Sequence, residues 1–184
     1  MKIKKINAVL GLLVMLVLLC HAGIMSVSLY TGWYNFSICK MFAKLTLTIF
    51  ILHILLSLII LFFRHDGADV SVYKRANIRL IVQRASALCL IAFVHFHMKA
   101  YAHMATGEVL SPVKAIVILI MEILFISFVL IHVAASFSKA FITLGILTSP
   151  EKARIVDRIV FVLLGIAGVI AIVGVTRFFI GGII

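Results

Sequence analysis

Seven histidines stand in this 184-residue chain, and five of them fall inside long apolar runs: His21, His53, His95, His97 and His132. A neutral imidazole offers one lone pair to a metal and one N–H to an acceptor. Ionisable side chains in such runs are expensive to bury, and by default they mark function. A single one can serve as a structural hydrogen bonder. One in each of four successive runs points instead to a cofactor gripped between helices, because helical bundles build such sites from side chains on facing helices.

The elements that must carry these imidazoles are apolar segments at about 6–30, 43–63, 80–103, 113–137 and 159–179. Each suffices for the roughly 20 residues that span a bilayer as a helix. Hydrophobic residues make up 65% of the chain and charged residues 12%, against about 25% charged in soluble domains. A surface so poor in charge must face lipid. The expected fold is therefore all-α and integral to a membrane: one domain, a bundle of five transmembrane helices, multi-pass in the cell inner (cytoplasmic) membrane. No strand-like alternation suggests a β-barrel. The first run is longer than a signal-peptide core and lacks a small-x-small cleavage site, so it reads as a retained helix.

The net charge of +11 belongs to topology and lipid head groups, not to nucleic acid. With the N-terminus in the cytoplasm and the C-terminus outside, most Lys and Arg side chains collect on the inner face, including Lys2, Lys4, Lys5, Arg64, Arg79, Arg84, Lys139, Arg154 and Arg158. Lys40, Lys44, Lys99, Lys114 and Arg177 fall outside. Cys20, Cys39 and Cys89 form no C-x-x-C pair, which excludes an iron–sulfur ligand set and a c-type haem attachment.

Depth sorts the histidines into two tiers. Measured along the helix from the nearest inner-face cation, His132 lies about 10 Å from Lys139 and His53 about 16 Å from Arg64. His97 lies about 20 Å from Arg84 and His21 about 24 Å from Lys5. His53 with His132 makes an inner pair, and His21 with His97 an outer pair. His95 and His97 lie about 200° apart around their helix. His95 shares its face with Lys99 and His97 with Phe93 and Tyr101, and the aromatic face suits a flat apolar cofactor better. Two nitrogens per tier, with no thiolate or carboxylate completing a set of four, do not suit structural zinc. They suit haem, whose macrocycle supplies four nitrogens and needs two axial ones. Ser57 and Ser136 lie one turn beyond His53 and His132 and leave space beside them.

At these residues the chain resembles a known family, the single-polypeptide di-haem cytochrome b subunit of succinate dehydrogenase and quinol:fumarate reductase. The match is clearest in the third run, at Gln83-Arg84-x-Ser86 followed by Phe93-Val94 and His97. It continues at His132, Thr143-Leu144-Gly145-Ile146 and Thr148-x-Pro150, and at His53. Departures fall at Lys5, Asn7-Ala8 and Ala87, where the family more often has arginine, serine and glycine, and they bear on quinone binding.

The resemblance implies two b haems, the outer one ligated by His21 and His97 and the inner one by His53 and His132. It implies a quinone, by expectation menaquinone, as exchangeable substrate. It also implies a flavoprotein subunit and an iron–sulfur subunit as partners, which carry the FAD and the clusters and perform the dicarboxylate chemistry. Arg79, Arg84, Arg154 and Arg158 are candidate partners of inner haem propionates, since arginine suits bidentate carboxylate contact. His103 and Glu108 are candidate proton-handling groups at an outer quinone site, near the interfacial aromatics Tyr30, Trp33, Tyr34 and Tyr101. Glu122, the one acid well inside a run, is a candidate for a proton relay or for a hydrogen-bonded structural role. Other respiratory di-haem cytochromes b, such as those of nitrate reductase, formate dehydrogenase, and quinol- or ascorbate-linked systems, stay open as alternatives. A transporter with a His-lined path is the rival from another class. It predicts broken helices or inverted repeats, and the only prolines are Pro112 and Pro150, both at run ends.

Overall fold

The computed structural model describes residues 2–63, 74–106 and 110–181, with 74–77 described by backbone alone. It holds five helices: α1 (Lys2–Thr31), α2 (Phe36–Phe63), α3 (Lys74–Thr106), α4 (Pro112–Leu144) and α5 (Pro150–Gly181). All five are long and apolar enough to cross a membrane, and no strand occurs among the described residues. The chain is a multi-pass membrane protein. Without water to satisfy its polar groups, a spanning backbone closes its hydrogen bonds within each helix.

The helices outrun the apolar segments that announce them. The helix expected from about residue 43 begins at Phe36, and the one expected from about 159 begins at Pro150. Lys, Arg and Glu are good helix formers, so charged flanks prolong a helix into the head-group layer. Local stereochemistry sets the true ends. Ser111, extended at φ −62° and ψ 149°, precedes Pro112 at the first turn of α4. The α4 helix ends at Gly145, whose φ of 84° is left-handed. There Ile146 N donates to Phe141 O at 2.9 Å and Gly145 N to Ile142 O at 3.0 Å, a Schellman closure that needs glycine.

Helix α4 packs on α1, α3 and α5, and α1 packs on α2, α4 and α5. The pair α1–α4 is thus the spine, with α2 and α3 attached to it. Small residues bring α5 close: Gly168 sits against the tip of the Leu130 side chain of α4, and Gly174 packs on Leu29 and Tyr30 of α1, as lipid-embedded helices require for close approach. Tyr30 Oη also donates to the Ile170 carbonyl at 3.0 Å. The outward faces are apolar, with Leu88, Phe161 and Leu163 exposed, and they meet lipid.

The alternating helices define two faces. The first face holds the start of α1 and the end of α4; the second holds the end of α1 and the start of α4. At the first face Arg79 of α3 joins three helices. Its guanidinium makes a bidentate pair with Asp157 of α5, at 2.8 and 3.0 Å, and donates to the Ala135 and Ala134 carbonyls and Ser138 Oγ of α4 at 2.7, 3.2 and 2.8 Å.

Candidate cofactor site

His21 and His97 meet across the bundle near the second face. His21 is buried on α1. Its ring lies 6.1 Å from that of His97 on α3, with the planes at 88°. Two imidazole nitrogens bound on opposite sides of one metal ion, each at about 2.0–2.1 Å, place the ring centroids roughly 6 Å apart. Helix α4 holds His97 from behind. Its Nδ1 lies 2.9 Å from Glu122 Oε2, and its ring stacks on Phe125 at 4.6 Å and 17°. Glu122 and Phe125 are one turn apart and so share a face of α4. The contact turns the Nδ1 edge of the ring toward Glu122 and so leaves the Nε2 edge facing away from α4's carboxyl group.

His132 of α4 is held in the same sense nearer the first face. Its Nδ1 donates to the Gln83 carbonyl of α3 at 3.1 Å and lies 3.2 Å from Ser86 Oγ. Ser86 is buried and donates back to the Val82 carbonyl at 2.7 Å. A backbone oxygen only accepts, so Nδ1 of His132 carries a proton and the Nε2 edge faces away from α3's backbone. His53 of α2 is an electrostatic neighbour of His132. Its ring lies flush on α1 at Gly11, where a Cβ would stand 3.1 Å from His53 Cε1. One turn beyond, Ser57 meets Asn7 of α1, whose Nδ2 donates at 3.1 Å.

Two imidazoles lack what a buried imidazole requires. His21 Nδ1 and His53 Nδ1 are buried without a hydrogen bond; the Asn7 carbonyl sits beside His53 but out of bonding geometry. Such an atom costs about 1–3 kcal/mol. The four imidazoles therefore divide alike in each tier, one oriented by an acceptor and one unpartnered. Along α1, Gly11 and His21 are about 15 Å apart, and along α4 so are Glu122 and His132, which sets the spacing of the tiers. Among the described residues no group of three or more His, Cys, Asp or Glu side chains could enclose a metal ion. The donor set fits a group that brings its equatorial ligands with it and draws two from the protein.

The other candidates fall elsewhere. His95 is exposed on the opposite side of α3, its ring against Phe96, and Lys99 is exposed beside it. His103 is half-buried in the last turn of α3. Glu108 and His65 lie outside the described residues. Arg84, Arg154 and Arg158 are exposed around the first face, whereas Arg79 is engaged with Asp157 and α4. At the second face Tyr34, in the α1–α2 turn, stacks on Phe36 at 5.7 Å and packs edge-on to Phe178, and Phe36 packs on Tyr101. Burial, then the neighbouring Cys39, pushes the Tyr34 phenol above its ordinary pKa.

Sequence reading singled out Glu122 without its partner, and Asp157 and Phe125 not at all. Helical spacing alone carried a signal for one of these: Phe125 lies three residues past Glu122, on the face that α4 turns toward α3. Asp157, between Arg154 and Arg158, reads as part of a solvated charge run until α3 is docked.

Comparison of the chain with protein-family models, with curated proteins and with solved structures finds no match.

Proposed function

We propose that the chain is a di-haem cytochrome b, the membrane-anchor subunit of a succinate dehydrogenase or quinol:fumarate reductase in the cytoplasmic membrane. The carrying observation is the pair of tiers: four helices give four imidazoles, paired as His21 with His97 and His53 with His132, about 15 Å apart. The sequence resemblance at Gln83-Arg84-x-Ser86, His97 and His132 supports the family within that class.

In this reading His21 and His97 hold one b haem and His53 and His132 the other. Bound there, haem supplies one-electron transfer, and two such groups let charge cross the apolar layer. The protein's part is orientation and electrostatics. Glu122 and the Gln83 carbonyl each accept a hydrogen bond from a ligand's Nδ1–H and aim its Nε2. Gly11 lets the His53 ring approach α1, and Phe125 fixes the plane of His97. The first face, rich in Lys and Arg, is cytoplasmic in this reading and receives the iron–sulfur and flavoprotein subunits, which carry the clusters, the FAD and the dicarboxylate site. Arg84, Arg154 and Arg158 are free there to meet carboxylates. Quinone, by expectation menaquinone, exchanges electrons at the second face near Tyr34, Tyr101 and His103.

Purification of the tagged chain from its native membranes tests the family. Copurification of an FAD-containing subunit, with succinate or a quinol reducing the b-type absorbance, is the expected result. A molybdenum-containing partner would move the chain to the nitrate reductase or formate dehydrogenase class.

A further inference from the structure

Glu122 is the least expected residue in the bundle. It is 4% exposed at mid-helix in α4, where an ionisable group is costly. Oε2 contacts His97 Nδ1 at 2.9 Å, and Oε1 is buried with no hydrogen-bond partner. Among the described residues its one ion pair is with His97. A carboxyl group so placed has one connection, the imidazole, and any charge on it is offset by that ring or by what the ring binds. Metal-bound histidines commonly donate their second N–H to a carboxylate, which fixes the tautomer and raises ligand basicity.

The other tier supplies the contrast. His132 makes the equivalent contact to a neutral acceptor, the Gln83 carbonyl. A peptide oxygen orients the ring but adds no net charge. A carboxylate does both, and it favours the more positive, oxidised iron over the reduced one. Hydrogen bonding and net charge near an iron centre are the terms by which proteins set its potential.

We propose that Glu122 is the positioning residue of the His21–His97 site: it holds His97 as the Nδ1–H tautomer and depresses the reduction potential of the haem bound there, leaving the His53–His132 haem unaffected. This rests on the di-haem reading. The mechanism requires no proton movement at Glu122, only a fixed acceptor and its charge.

Potentiometric titration of the purified wild-type chain and of Glu122→Gln tests the electrostatic half. The amide keeps volume and an acceptor oxygen but removes the charge. One haem midpoint should rise by about 60 mV, a tenfold change in the ferric-to-ferrous preference, while the other stays in place. Two bound haems with neither midpoint shifted, or both shifted alike, would overturn the role of Glu122 and leave the cytochrome reading intact. A wild-type chain that binds no haem would overturn both. The tautomer half is read without haem, from 15N shifts of the His97 ring in the folded chain. Wild type should show Nδ1 protonated and Nε2 bare, and Glu122→Leu should release the ring to the other tautomer. A His97 tautomer identical in wild type and Glu122→Leu overturns the proposal even if the substitution also abolishes haem binding.

Discussion

The two imidazole tiers are built from the same parts in different proportions. Near the second face His97 is gripped by side chains, the Glu122 carboxylate and the Phe125 ring, both from α4. Near the first face His132 is gripped by backbone, the Gln83 carbonyl, with the small Ser86 beside it, and His53 is seated by the absence of a side chain at Gly11. One tier can be altered by changing a functional group. The other is altered mainly by adding bulk. The lesson is that equal imidazoles need not make equal sites, because the groups behind them differ.

Removing ligands gives the largest effect. His53→Leu or His132→Leu should cut haem content to one per chain with the His21–His97 haem retained, and His21→Leu or His97→Leu should do the converse. Absorbance per chain and low-temperature spectra read the outcome; loss of both haems from every single variant would merge the tiers into one cooperative unit. Gly11→Leu comes next. Even a Cβ at that position meets His53 at 3.1 Å, so a branched side chain should displace the imidazole and empty that tier alone, while Gly11→Ala weakens it.

Arg79→Ala should act on the scaffold, not on either tier's ligands. It breaks a bidentate pair whose members are about one-third exposed, 32% and 33%, and removes a donor from Ser138 Oγ and from two α4 carbonyls. Between exposed pairs at about 0.2–1 kcal/mol and buried ones at about 3–5 kcal/mol, a loss of about 1–3 kcal/mol is expected. It would be read as a lower unfolding midpoint in detergent with the haem spectrum of the folded fraction unchanged. Ser86→Ala should be smallest. It removes one 3.2 Å contact to His132 while the Gln83 carbonyl still holds the ring, so the cost is within about 1 kcal/mol and the shift in potential is confined to the His132 tier.

Much of this was legible in the sequence for physical reasons. Lipid imposes one rule, continuous apolar helices, and the runs carrying His21, His53, His97 and His132 obey it openly. Counting residues at a fixed rise places histidines at depths, which is why the His21–His97 pairing can be inferred before packing is known. The partners of those histidines were not legible. Which side of α4 meets α3 depends on packing, so the Glu122–His97 contact could not be read from two positions 25 apart in sequence. The Arg79–Asp157 clamp bridges 78 positions and joins charges that, taken singly, look like head-group ligands. The end of α4 and the start of α5 were missed for another reason: hydropathy marks the lipid, whereas Gly145 and Pro150 mark the helix.

The central claim is that four imidazoles on four helices hold two haems. The most direct measurement is the haem-to-protein ratio of the folded, haem-supplied chain, by pyridine haemochrome, for wild type and for His53→Leu/His132→Leu. Two b haems in wild type and one in the double variant is the predicted result. A folded wild-type chain with no haem would contradict the account.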